Sequence, residues 1–297
     1  MRFAVLAAPE SWYLRDLARG ATKLGHEVVQ VSFSEIGVEL DGAGEQRVFS
    51  GEHDLRDFDA VLVRTMPPGS LEQVVFRMDC LARLEAGGMV VLNPSRAVES
   101  AVDKFLTSAR LQAAGLLTPP TITCQTPDDA QRAFEKLGGD VVLKPLFGSE
   151  GRGITRLNDE ALALRAFKML TQLGAVLYVQ KFIPHQGFDM RLMVLGDEVL
   201  AMQRRNPLDW RTNVSRGATA EPLELTTELA EMAHRAAQCV GAPLAGVDVL
   251  PACDGQFYVI EVNAVPGWKA LAKTVGVDVA ARVLEFTAAR VQAGRAT

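Results

Sequence analysis

Three stretches of this chain bring together side chains whose types and spacing could do chemistry. The first is Glu261-Val262-Asn263. In a strand, residues i and i+2 share a face, so a carboxylate would stand beside a carboxamide. Asp248 lies on the preceding β-rich run, and a hairpin through Ala252-Cys253-Asp254-Gly255 would bring it to Glu261 as a third oxygen donor. Oxygen donors without Cys or His suit Mg²⁺ or Mn²⁺ rather than zinc. An isolated E-x-N is usually a solvated strand end, but Val247, Val249, Val259, Ile260 and Val262 surround these residues and predict a buried sheet.

The second stretch is Lys144-Pro145-Leu146-Phe147-Gly148-Ser149-Glu150-Gly151-Arg152-Gly153. A glycine-rich turn between strands lets backbone N–H groups approach phosphate oxygens, and a lysine at the strand end supplies a point charge. It lacks the Gly-Lys-Ser/Thr of a P-loop and the G-x-G-x-x-G that opens a helix, and a surface hairpin would also favour glycine. The third stretch gathers Asp189 and Arg191, Arg204, Arg211-Thr212-Asn213 and Arg216-Gly217. Guanidinium groups suit carboxylate and phosphate recognition, although a charged sheet edge would look similar. No Ser-His-Asp, Cys-His or G-x-S-x-G arrangement suggests an acyl-enzyme.

The elements that would position these groups follow from periodicity. Residues 1–94 alternate strands at Arg2–Ala7, Val28–Val31, Ala60–Val63 and Met89–Leu92 with helical spacing such as Leu14, Leu17, Ala21 and Leu24 before Gly25. This predicts a small parallel sheet, with Ala7-Ala8-Pro9-Glu10 where a dinucleotide fingerprint would stand. After Asn93-Pro94-Ser95 the pattern predicts one helix over 96–114, a capped helix from Thr126, strands 141–144 and 154–157, a helix over 160–173 and a strand 176–180. A hairpin of 190–195 with 198–204, a helix over 227–240 and strands 245–250 and 257–263 complete it.

With 297 residues, 48% hydrophobic and 23% charged residues and a mean hydropathy of +0.10, the composition is that of a globular protein of two or three units. No apolar run reaches the ~18–20 residues of a membrane span, and the N-terminal run meets Pro9-Glu10 too early for a signal peptide, so a soluble, cytoplasmic protein is expected. The net charge of −5 argues against nonspecific nucleic-acid binding. Cys80, Cys124, Cys239 and Cys253 lack the spacing of a zinc site or a disulfide framework.

Order matters more than any single piece. Asp103-Lys104, V-V-L-K-P with G-S-E-G-R-G-I, Y-V-Q-K-F-I, D-M-R, R-T-N-V-S-R-G, G-V-D-V-L and V-I-E-V-N-A-V-P-G follow one another, and this order resembles the ATP-grasp superfamily, specifically its RimK-type amino-acid ligases. The resemblance covers about residues 95–276, and G-V-D followed by E-V-N-A-x-P-G is its most specific part. It implies an α/β and α+β protein: an ATP-grasp fold with an N-terminal Rossmann-like (pre-ATP-grasp) domain over 1–94, a central subdomain with a glycine-rich flap over 95–186 and a C-terminal subdomain with a metal site over 187–297.

The resemblance also implies an ATP- and Mg²⁺- or Mn²⁺-dependent, ADP-forming ligase, with two ions, that joins a carboxylate to an amine through an acyl-phosphate. Lys104 and Lys144 match phosphate-contacting lysines, and Gly148, Ser149, Gly151 and Gly153 the flap. Gln180, Lys181, Phe182 and Ile183 match the adenine hinge, Asp189 the ribose contact, and Arg211 and Thr212 positions near the nucleotide. Asp248, Glu261 and Asn263 match metal ligands, while Arg191, Arg204, Asn213 and Arg216 match groups that hold phosphate, carboxylate or acyl-phosphate. Arg216 and the Gly217 N–H are candidate oxyanion donors. Lys181 stands where the family commonly has Glu and cannot accept from the adenine amine, so base recognition falls to the hinge backbone. The expected substrates are glutamate or a similar amino acid and a carboxylate acceptor, a folate- or methanopterin-like cofactor being favoured over a basic protein tail; a dipeptide ligase, a carrier-protein ligase and a non-catalytic nucleotide-binding regulator are the alternatives. A homo-oligomer is compatible with all of them.

Overall fold

The computed structural model describes residues 1–43, 46–148 and 151–296. The N-terminal domain opens with β1 (Arg2–Leu6), α1 (Trp12–Leu24) and β2 (Glu27–Val31). Leu17 and Ala21 bury one face of α1, and Gly25, at φ 68°, ends it in the left-handed conformation that glycine adopts without a Cβ penalty. A small antiparallel sheet, β3 (Ile36–Leu40), β4 (Gln46–Ser50) and β5 (His53–Asp54), follows. Its short, mixed-polarity strands carry no period-2 signal strong enough to be read from the sequence. Then come β6 (Ala60–Val63), α2 (Leu71–Ala86), which Ser70 and Gln73 start with a reciprocal capping box, and β7 (Val90–Leu92). Strands β2-β1-β6-β7 form the expected parallel sheet.

The single helix expected over 96–114 is two, α3 (Ser95–Val102) and α4 (Lys104–Ala113). Asp103 between them is extended, at φ −88° and ψ 104°, and its carboxylate accepts from the Leu106 N–H at 3.0 Å. An aspartate makes a better N-cap than a helix interior residue, so the chain restarts and Lys104 falls on the first turn of α4.

The central unit continues with β8 (Thr121–Cys124), α5 (Pro127–Lys136), β9 (Val141–Lys144), β10 (Thr155–Leu157), α6 (Glu160–Gln172) and β11 (Leu177–Lys181), with sheet order β10-β9-β11-β8. It has its own core, from Ala130 and Phe134 through Leu143 to Phe167 and Val179. The last third forms the sheet β14-β13-β12-β15-β16 from β12 (Phe188–Leu195), β13 (Glu198–Arg205), β14 (Thr219–Pro222), β15 (Leu244–Pro251) and β16 (Phe257–Asn263). Helix α7 (Thr227–Val240) packs on it, and α8 (Lys269–Val275) and α9 (Val279–Arg295) close the chain.

The N-terminal and C-terminal sheets share continuous cores: Phe3, Val5 and Leu62 pack with Met193, Trp268 and Val283. Polar contacts reinforce that joint. The buried Asn93 side chain donates to the carbonyls of Leu244 and Ala264 and accepts from the Leu244 N–H. No helix among the described residues is long and apolar enough to cross a membrane.

Candidate functional site

The β registers decide which side chains meet. Asp189 on β12 is opposite Arg204 on β13, Arg191 opposite Asp248 on β15, Asp248 opposite Glu261 on β16, and Gly246 opposite Asn263. Directly paired residues share a face, so these groups collect on one side of the sheet. Gly246, noted in the sequence only as the first residue of the G-V-D motif and given no role there, makes the arrangement possible. A Cβ there would lie 2.6 Å from Arg191 Nη1 and 3.0 Å from Pro266 Cβ, so the bare backbone leaves the space that the Arg191 guanidinium crosses.

The centre of the face is a buried charge cluster. Arg204 Nε donates to Asp189 Oδ1 at 2.7 Å, and Arg204 Nη2 lies 3.0 Å from Asp248 Oδ2. Arg191 Nη2 donates to the same Oδ2 at 3.0 Å. Asp189, Arg204 and Asp248 are 1%, 4% and 2% exposed. Two guanidinium groups hold the Asp248 carboxyl below its usual range despite burial, whereas burial dominates at Asp189 and pushes it up. Arg204 is raised by the two carboxylates it bridges. Its Nε and one Nη are thereby engaged, so this arginine orients Asp189 and Asp248.

Glu261 stands at the mouth of this cluster. Burial and the Asp248 charge push its carboxyl up, and Lys104, Arg191 and Lys144 pull it back. Lys144 ends β9 and faces it from the central unit; burial lowers this ammonium to about 8 against the opposing attraction of Glu261. Lys104, lowered by burial as well, donates through Nζ to the Gly148 carbonyl at 2.8 Å, tying the start of α4 to the glycine loop.

Among the described residues no three His, Cys, Asp or Glu side chains cluster as a metal site. The oxygen donors Asp248, Glu261 and Asn263 nevertheless fit a hard divalent ion, because neither Glu261 nor Asn263 has a side-chain hydrogen bond among the described residues. Asp248 Oδ1 is buried without an aligned donor: Arg191 Nε approaches it to 2.5 Å, but off the hydrogen-bond direction. Mg²⁺ typically takes one or two carboxylates and completes its shell with water and substrate phosphate, which this donor set allows.

A narrow cleft opens beside this face, between β9 and β11 of the central unit and β12, β13, β15 and β16. Lys144, Gly151, Gln180, Lys181, Phe182, Ile183, Asp189, Arg204, Arg211, Thr212, Asn213, Asp248 and Glu261 line it, so most candidate residues converge. A larger hollow, about 580 Å³, lies beside β8 and α5 and contains none of them. The cleft also has apolar walls, Val142, Ile154, Leu250 and Ile260, and Trp210, whose ring centroid is 5.8 Å from that of Phe182. The sequence reading missed these because an apolar wall and an apolar core look alike in sequence; only Trp210, set among loop polar residues, offered a signal.

Several expectations change in detail. Gln180 is buried and its amide donates to Thr121 Oγ1 at 2.9 Å and to the Tyr178 hydroxyl at 3.1 Å. At the hinge, the Lys181 N–H donates to the Pro120 carbonyl and the Phe182 N–H to the Asp140 carbonyl. Both are spent, so the hinge offers a base its carbonyls and the Ile183 N–H. Asp189 accepts from Arg204 through both carboxylate oxygens, which limits its lone pairs for a ribose. Arg211 turns to Asp209, Nη2 to Oδ2 at 2.6 Å. Arg216 Nη2 donates to the Gly151 carbonyl at 3.2 Å and bridges loop to loop. Expected as an oxyanion donor, the Gly217 N–H is committed to the Val214 carbonyl at 3.0 Å. Gly151 and Gly153 take φ of 69° and 72°. Ser149 lies outside the described residues.

The model of the RimK-like ATP-grasp domain matches residues 101–287, and that of the RimK pre-ATP-grasp domain matches residues 1–98. The chain belongs to the RimK-like ATP-grasp family. Its members include the tetrahydromethanopterin:alpha-L-glutamate ligase of Methanosarcina acetivorans, 31% identical over 94% of this chain and 95% of that protein. A probable alpha-L-glutamate ligase 1 of Shewanella amazonensis is 32% identical over 96% and 95% of the two chains. Among solved structures, a RimK-domain ATP-grasp protein from Sphaerobacter thermophilus aligns with TM-score 0.74 at 26% identity, covering 96% of this chain and 99% of that one. The ATP-grasp ligase PsnB, solved with Mg and ADP, shares the fold at TM-score 0.76 and 24% identity over 97% and 98%. This RimK-like chain is therefore an ATP-grasp ligase, of a family that forms amide bonds.

Proposed function

We propose that the chain ligates L-glutamate, or a similar amino acid, through its amine to a carboxylate on a small cofactor, with a protein terminus as the less favoured acceptor. What carries this reading is the convergence on one cleft of Gly151 of the glycine loop, Lys144, Asp248 and Glu261, with Lys104 tied to the same loop and Asn263 next along the strand face from Glu261. The names of the M. acetivorans and S. amazonensis relatives support glutamate as the amine.

In this reading the nucleotide lies between units 95–186 and 187–297, its base between the Phe182–Trp210 wall and the Ile183 hinge. Lys144 and Lys104 hold the phosphates, and Arg216 ties the glycine loop over them. Asp248, Glu261 and Asn263 hold Mg²⁺, which supplies positive charge to the terminal phosphates. Arg191 holds the acceptor carboxylate in line with the γ-phosphorus. A carboxylate oxygen attacks that phosphorus, the bond to the β-bridging oxygen breaks, and ADP leaves. The amine nitrogen then attacks the acyl carbon of the acyl-phosphate, phosphate departs with the C–O electron pair, and the nitrogen loses its proton. No side chain becomes covalently modified, in keeping with the absence of a triad.

The near-isosteric Glu261→Gln tests the metal assignment. Turnover should fall by more than 100-fold across a Mg²⁺ titration while the melting temperature stays within a few degrees; Mg²⁺-dependent ADP release at the parent rate would refute it.

A further inference from the structure

Outside the nucleotide cleft, a buried arginine keeps two donors without hydrogen-bond partners among the described residues. Arg64 follows β6 at the C-terminal edge of the N-terminal sheet and is 6% exposed. Its Nη2 donates to the Pro266 carbonyl at 2.6 Å, and its guanidinium carbon lies 4.1 Å from the Trp268 ring centroid and 5.1 Å from that of Tyr13. Nε and Nη1 are buried with no hydrogen-bond partner among the described residues. No carboxylate pairs with it among the described residues, and burial lowers it only to about 10, so it is charged at neutral pH. Buried charges normally carry a counter-charge, and aromatic faces compensate a cation only in part.

The site next to it is the reaction centre. Pro266 follows Asn263 by three residues, and the space above Gly246 is bounded by Pro266 Cβ on one side and Arg191 Nη1 on the other. Pro266 thus accepts from Arg64 through its carbonyl and borders, with its ring, the same space above Gly246 that Arg191 borders. Arg64 does not line the nucleotide cleft.

We propose that Arg64 binds a carboxylate of the incoming amino acid, in a subsite between the N-terminal sheet and the Pro266 loop. The missing counter-charge of the buried guanidinium is that carboxylate, and the charge-assisted hydrogen bonds from Nε or Nη1 set the distance between the amino acid and Arg191. Both atoms are sealed in this conformation. The Tyr13 hydroxyl abuts Gly267, where a Cβ would meet it at 2.5 Å, so entry requires the Tyr13 ring to move from that backbone. The proposal rests on the ligase reading above, but its test does not depend on turnover.

Trp268 beside Arg64 provides the readout. Intrinsic fluorescence of the full chain, in the presence of a non-hydrolysable ATP analogue and Mg²⁺, is titrated with L-glutamate for the parent, Arg64→Gln and Arg64→Lys. A saturable change in the parent, weakened at least tenfold in Arg64→Gln and at least threefold in Arg64→Lys, is expected, with affinity for the nucleotide analogue within twofold. Parent affinity in Arg64→Gln, no glutamate signal in the parent, or an equal loss of nucleotide affinity overturns it. If Arg64→Gln does not fold, parent affinity in Arg64→Lys overturns it instead. A parent that binds glutamate through Arg64 but forms no ADP with any acceptor sinks the ligase reading and leaves the subsite standing.

Discussion

Replacing Gly246 by alanine puts a methyl group 2.6 Å from Arg191 Nη1 and 3.0 Å from Pro266 Cβ. An ordinary contact needs roughly 3.5 Å, so the flexible guanidinium must retreat by about 1 Å. Arg191 Nη2 is 3.0 Å from Asp248 Oδ2, and a shift of that size carries the pair out of hydrogen-bond range. A hydrogen bond between charged groups contributes about 1.5–3 kcal/mol, which corresponds to a rate loss on the order of 10- to 100-fold if the bond holds Arg191 in place for the reaction. Overpacking costs about 1–3 kcal/mol of stability, because the Arg191 tip must yield and the Pro266 ring must give slightly as well. Steady-state ADP release and thermal unfolding measured on Gly246→Ala separate the two effects. Parent kcat, or a crystal structure of the variant with Arg191 unmoved, would refute the packing argument.

Lys144 predicts a pH dependence: the free enzyme loses this charge as pH rises through about 8, so the KM for MgATP should climb above that pH and be flat in Lys144→Met, as read from initial rates between pH 6.5 and 9.5. The sign for stability is opposite. The unfolded chain binds the proton up to the ordinary lysine value near 10.5, so unfolding of the ligand-free protein should become harder between pH 8 and 10.5 through this group. Arg204→Met strips Asp189 of its buried partner, which should cost about 3–5 kcal/mol and lower the melting temperature by on the order of 10 °C, measured by calorimetry.

The sequence revealed the parallel sheet, the β12–β13 hairpin and the opposition of Asp248 to Glu261, because each rests on local periodicity or on a turn between neighbouring strands. The break at Asp103 was equally local but hidden, since its flanking residues keep helical spacing and only the cap shows that the helix restarts. Charged candidates could be picked out by type. Which of their atoms remain free could not: Gln180, Gly217 and the hinge N–H groups are consumed by partners tens of residues away or by a turn whose geometry the motif does not encode. Gly246 and Arg64 matter through Arg191, Trp268 and Pro266, which sequence separates from them and the fold brings back.

The central claim is phosphoryl transfer from the γ-position to a carboxylate, followed by attack of an amine. Incubating the chain with ATP, Mg²⁺, L-glutamate and a panel of carboxylate acceptors, and resolving the nucleotides by chromatography with and without hydroxylamine, tests it most directly. The account predicts ADP and phosphate in equal amounts, dependent on the acceptor, with a hydroxamate trapped when hydroxylamine replaces the amine; AMP and pyrophosphate would contradict it.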